Sequence, residues 1–177
     1  GSYWGDAGMK RLNRLHIALG MFVALLLQAA VFPVLFPRWV VPDLVFCFSA
    51  VMSIIEGTGP GVVLAAIGGL CQDALSGTFM GASAGANMAA AWIIGLVEPQ
   101  LFKENLITPV VIVGAGTVIR EVIYTFVIWS FGAGIDWARA FGTVIPWVAV
   151  LNCCAGALLH YWIYLRPRDR ERLRSVS

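Results

Sequence analysis

Charge is what this sequence has least of. Only 12% of its 177 residues are charged, about half of the roughly 25% usual in a soluble domain. With 59% hydrophobic residues and a mean hydropathy of +0.82, that scarcity excludes a soluble globular enzyme and points to an integral membrane protein. Catalytic signatures are missing as well. There is no HExxH, no GxSxG, no phosphate loop, and no Ser or Cys with a His at an expected spacing. The four cysteines, Cys47, Cys71, Cys153 and Cys154, fall inside apolar runs without metal-ligand spacing to a histidine. They read as small packing residues, neither a disulfide framework nor a metal site. His16 and His160 are too far apart in sequence to suggest a metal site alone. No enzyme activity and no cofactor are expected.

What is there is a series of apolar blocks. At about 20 residues per span, the length leaves room for five or six helices in one bundle and no sizeable domain outside the membrane. Residues 1–8 precede the first plausible initiator, Met9, and are expected to be an appended remnant or a short polar lead. The block from Leu15 to Phe32 has no small-residue cleavage site after it and reads as a retained span. The fold class is all-α, a polytopic membrane protein with a transmembrane domain over 9–166 and a basic tail over 167–177.

The prolines mark the block edges. Pro33, Pro37 and Pro42 bracket a loop, Pro60 precedes the third block, and Pro99 follows the fourth. Pro109 and Pro146 sit where a first helical turn would start, and Pro167 follows the last block. These edges predict six helices, at about 14–32, 43–56, 61–76, 81–98, 108–131 and 144–166. The third is short, since its 16 residues rise only about 24 Å against a hydrocarbon core of about 30 Å.

Both ends are basic. Lys10, Arg11 and Arg14 precede the first block, and Arg166, Arg168, Arg170, Arg172 and Arg174 follow the last. Placing both termini in the cytoplasm puts Lys103 there too, in the loop with Glu98 and Glu104. Only Arg38 and Arg139 then face outward, as the positive-inside rule requires. The basic tail could suggest nucleic acid or acidic lipid, but beside a membrane helix it reads as an anchor that orients the helix end. Trp39, Trp137, Trp147 and Trp162 are expected in interfacial belts.

Small residues recur every four positions in the central hairpin, at Gly61, Ala65 and Gly69 and again at Gly81, Gly85 and Ala89. Such spacing lets helix backbones approach closely.

Three intramembrane charges stand out. An Asp at the centre of a membrane helix costs roughly 2.5–3.5 kcal/mol on insertion scales, so Asp73 implies a function or a buried partner. It could be a proton or ion site, half of a buried pair, or a cap on the turn at Ser76-Gly77-Thr78. Arg120 in the fifth helix is the candidate partner, because both residues lie about 16–18 Å up their helices. Glu121 follows Arg120 directly, so the two point about 100° apart and are expected not to share a face. Glu121 then needs its own partner, with Asn152, His160, a water or a polar residue on another protein as candidates. Asp43, after Pro42, can cap the second helix.

In order, these features resemble the rod shape-determining MreD family. The resemblance is carried by Pro42-Asp43-Leu44 at the opening of the second helix and by the inner turn Gly57-Thr58-Gly59-Pro60-Gly61. Its best local signature is Gly69-Leu70-Cys71-Gln72-Asp73-Ala74-Leu75-Ser76-Gly77, with Gly81 four residues later. Cys71 and Gln72 stand where aliphatic residues are expected. The resemblance implies a non-enzymatic scaffold of the bacterial inner membrane, multi-pass, that binds MreC. Through MreC it would join MreB filaments to the RodA glycosyltransferase and its class B penicillin-binding transpeptidase, which build lateral wall peptidoglycan. Pro42, Asp43, Gly69, Asp73, Ser76, Gly77, Gly81, Arg120 and Glu121 become structural or partner-contact candidates. Asp73 is expected to hold the third and fifth helices together and so to shape the MreC-binding face. The fold so implied is also similar to the six-helix substrate-binding subunits of energy-coupling-factor vitamin transporters. A small-molecule binding subunit is therefore the alternative function.

Overall fold

The computed structural model describes residues 14–37, 40–77, 79–97 and 107–165, and these form six helices with no strand among them. They are α1 (Arg14–Leu35), α2 (Leu44–Glu56), α3 (Thr58–Ser76), α4 (Ala82–Val97), α5 (Ile107–Ser130) and α6, which starts at Trp137 and runs through Ile163. Lys10, Arg11, Arg38, Trp39 and Thr78 lie outside the described residues. So do Glu98, Pro99, Lys103, Glu104 and everything from Arg166 onward.

Helix length divides the bundle. The helices α1, α5 and α6 are long and apolar enough to cross a membrane. α2 has 13 residues and rises only about 20 Å. Its sequence, Leu-Val-Phe-Cys-Phe-Ser-Ala-Val-Met-Ser-Ile-Ile, is apolar all round, the mark of a helix buried on every side. Every residue from Val45 to Ile55 is buried, and α2 packs on all five other helices. Phe46, Val51 and Ile54 meet Ile94 of α4 and Val113 of α5, while Val45, Phe48 and Met52 meet Met21 of α1.

The third helix, expected to be short at 61–76, takes Pro60 into its first turn and runs from Thr58 over 19 residues, so α2 is the short one. Two further boundaries are corrected where a proline sits inside a helix. α1 continues past Pro33 to Leu35, and α6 starts at Trp137 rather than at 144, so Pro146 is internal. Each proline follows a wide π turn, Leu27–Val31 before Pro33 and Ala140–Val144 before Pro146. A proline ring clashes with the carbonyl four residues back, here on Ala29 or Gly142. Both carbonyls lie in the widened turns, which give that ring room. Asp136 caps the true start of α6 by accepting from the Arg139 N–H (3.1 Å). Trp147 thereby lies about 15 Å along α6 from its start, exposed on the outside of the bundle.

The small-residue stripe holds in α3 and shifts in α4. A Cβ on Gly61 would lie 1.8 Å from Ser53 Oγ, and one on Gly69 would lie 2.5 Å from the Ala84 Cα. In α4, however, Gly85 is exposed with nothing near its missing Cβ. Ala82, Ala86 and Ala90 take the buried face instead.

Candidate functional site

The half of the bundle away from the described chain ends holds most of its buried polarity. Asp73 sits in the last turn of α3 with no exposure at all. Its Oδ2 accepts from the Gly81 N–H (2.8 Å), and both its oxygens accept from the Ser83 N–H (3.1 Å each). Oδ2 also receives the Ala84 N–H at 3.4 Å. These are the free N–H groups at the start of α4, where the helix dipole favours an anion.

The glycines of the signature serve this contact. Gly77 ends α3 in a left-handed conformation (φ 65°) and donates its N–H to the Asp73 carbonyl (3.1 Å). Gly81, with φ 93°, turns the chain so that its own N–H meets the carboxylate. Gly69 lets α3 and α4 touch backbone to backbone. Ser76 Oγ donates to the Asp73 carbonyl (3.3 Å). The expected Asp73–Arg120 pair is therefore not formed. Asp73 is a cap, but of the next helix rather than of its own turn, and it joins α3 to α4 rather than to α5.

Arg120 has other partners. Its Nη2 lies 2.7 Å from Asp43 Oδ2, Nη1 bonds Glu121 Oε1, and Nε donates to Asn87 Oδ1 (3.0 Å). The guanidinium also lies 5.0 Å from the centre of the Tyr124 ring. That Arg120 and Glu121 pair corrects the reading that they could not share a face. The Cβ atoms do diverge, but the long, flexible arginine stem carries the guanidinium back to its neighbour.

Asp43 follows the buried Pro42 and performs the expected cap, accepting the Phe46 N–H (2.9 Å) at the start of α2. It also accepts from Gln72 Nε2 (3.2 Å), and its own N–H donates to Asn152 Oδ1 (2.8 Å). Asn152 then donates to Thr117 Oγ1 (3.2 Å), and Asn87 Nδ2 reaches Gln72 Oε1 at 3.5 Å. The network thus ties α2 through α6 together. Asp43, Arg120 and Glu121 are 2%, 6% and 8% exposed. At that burial a lone charge would be prohibitive, and hydrogen-bonded pairing makes the cluster tolerable.

The sequence reading missed Gln72, Asn87, Thr117 and Tyr124 as members of the network and named Asn152 for the wrong partner. A signal was present. Asn87 and Asn152 are amides inside apolar helices, where an unpaired amide is costly. His160, the other proposed partner of Glu121, is buried near the opposite end of α6.

Part of the cluster faces a cavity of about 340 Å³, walled by Asp43, Gln72, Ser83, Arg120, Glu121 and Tyr124 with Gln28, Val41, Ser76, Val144 and Val148. An apolar groove of about 610 Å³ runs between α1, α2 and α6, from His16 and Trp162 to Leu27 and Leu44. All four cysteines are free thiols. No group of three or more His, Cys, Asp or Glu side chains converges on a metal position among the described residues.

The family model described as rod shape-determining protein MreD matches residues 9–168. The chain belongs to the MreD family. Comparison with curated proteins and with solved structures gives no match. Membership makes this a membrane protein with a role in rod shape determination, and the three long apolar helices fit membrane insertion. The Asp73 signature of this MreD chain is a hairpin lock, and its neighbouring ion cluster is a crosslink among five helices.

Proposed function

We propose that the protein is a non-enzymatic scaffold of the cell-elongation complex, seated in the inner membrane with both termini cytoplasmic. It binds the single membrane helix of MreC. Through that contact it supports the joining of MreB filaments to RodA and its class B transpeptidase during lateral wall synthesis. The observation that carries this reading is the family match across nearly the whole chain. The arrangement of charge supports it: Asp43, Asp73 and Arg120 are spent on one another and on helix ends. The exposed sides of the long helices, with Leu19, Phe22 and Val23 on α1 and Phe126 on α5, offer apolar surface to a partner helix.

Co-purification in mild detergent tests the proposal. MreC should come down with the protein in stoichiometric amount. Recovery of a transporter's energising module in its place would favour the vitamin-transporter reading and sink the scaffold. The second experiment is Asp73→Asn, which should lower thermal stability and MreC yield together by loosening the α3–α4 hairpin. Unchanged yield and stability would remove Asp73 from the account.

A further inference from the structure

The apolar groove between α1, α2 and α6 takes no part in the polar network. Its floor is Leu44, Phe48 and Met52, one face of the short α2 at four-residue spacing. Gly20 lets α1 settle onto the Phe48 ring, since a Cβ there would lie 2.8 Å from it. α1 packs on α2 and α3 while α6 packs on α5 and α2, so the two walls stand apart over that floor. From His16 to Leu27 the α1 wall rises about 16 Å, close to half of the roughly 30 Å hydrocarbon core. The lining ends at Leu27. Next to it, Gln28 Oε1 accepts the Val45 N–H (3.3 Å) and ties α1 to α2. The other end of the groove, beside His16 and Trp162, lies where α1 starts and α6 ends.

Positive charge is concentrated at that end. Arg14 opens α1, exposed, two residues before His16, and Lys10 and Arg11 precede it in the chain. Arg166 follows the lining residue Ile163 by three positions, which keeps the two Cα atoms within about 11 Å of each other. Arg168, Arg170, Arg172 and Arg174 come after it. Asp6, Glu56, Asp169 and Glu171 oppose these cations and leave the end net positive. An apolar slot one leaflet deep beneath a cationic mouth is complementary to a lipid with a negative headgroup. We propose that the groove seats an acyl chain of an anionic phospholipid from the leaflet at the basic end, its phosphate held by Arg14 and Arg166. Trp162 stands at the mouth, at the depth where an indole favours the headgroup region. A partner helix crossing the whole core would find this groove along only half its length, whereas an acyl chain of one leaflet needs no more.

The inference goes beyond the scaffold role and does not depend on MreC. Its test uses the full chain in nanodiscs of phosphatidylcholine with a minority of phosphatidylglycerol, released into mild detergent and read by native mass spectrometry. Wild type should retain one phosphatidylglycerol per chain, preferred about tenfold over phosphatidylcholine. Val23→Trp fills the groove from a half-exposed position and should abolish retention of either lipid. Arg14→Gln combined with Arg166→Gln should remove the preference while leaving the slot. Arg139→Gln, at the opposite end of α6, should change neither. Should Val23→Trp fail to fold, the arginine variants still decide. Several lipids of both kinds without a stoichiometric adduct would mean an ordinary lipid annulus and overturn the proposal, as would unchanged retention in Val23→Trp. With no adduct in wild type, loss of a dimer or of MreC co-purification in Val23→Trp assigns the groove to a second copy or to the partner helix, and also overturns it.

Discussion

Asp43 and Asp73 are both buried carboxylates that close a helix start, yet they are neutralised by different means. Asp73 is met by backbone N–H groups eight to eleven residues further along the chain. Asp43 accepts one N–H of its own helix and is then bridged to a guanidinium on α5 and an amide on α3. The first is a hairpin device, assembled locally and leaning on glycine geometry. The second exists only when several helices have docked. A lock of the first kind should fail by opening one hairpin, and one of the second kind by loosening the bundle.

The largest expected effect comes from the bundle crosslink. Arg120→Met leaves Asp43 and Glu121 facing each other without a counter-charge, and removing one partner of a buried pair costs about 3–5 kcal/mol. Unfolding in mild detergent should show that loss. A variant as stable as wild type would mean the cluster is hydrated and contributes little. Asp73→Ala is next, because it strips the start of α4 of its acceptor. Hydrogen bonds to a charged group are worth about 1.5–3 kcal/mol, and the loss should appear as protease cleavage confined to the α3–α4 turn. Cleavage spread over the whole chain would erase the distinction between the two locks.

Gly69→Ala pushes a methyl group into the Ala84 backbone and should cost about 1–3 kcal/mol as overpacking. The exposed Gly85→Ala serves as its control, expected within about 0.5 kcal/mol of wild type, and thermal melts of the pair check both. The smallest expected quantity is a coupling. In double-mutant cycles Asp43 and Arg120 should couple strongly, while Asp73 and Arg120 should add within about 0.5 kcal/mol. A large Asp73–Arg120 coupling would restore the pair that the structure does not contain.

Much of the fold was legible. Six apolar blocks became six helices, and the Asp43 cap followed from a Pro-Asp-Leu opening, a signal that acts within a few residues. The misplaced starts and ends were those where proline sat inside a helix. A wide π turn relieves its ring clash at Pro33 and Pro146, and no residue type marks such a turn in advance. At the candidate site, similar depth suggested Asp73 for Arg120. Depth constrains only one coordinate, however, and the direction each helix face points is fixed by packing. The shift of the α4 stripe from Gly85 to Ala82, Ala86 and Ala90 has the same origin. It turns Ser83 and Asn87 inward, and Asn87 then accepts from Arg120.

The sequence alone determined the membrane class, the helix count, the caps and the MreD signature, because each depends on composition or on neighbours a turn or two away. Only the tertiary structure decided which charge meets which. Asp43 and Asn152 stand 109 residues apart, and nothing local records that α2, too short to span a membrane, is enclosed by all the other helices. That enclosure buries Asp43 against Arg120 and leaves Asp73 to its own hairpin.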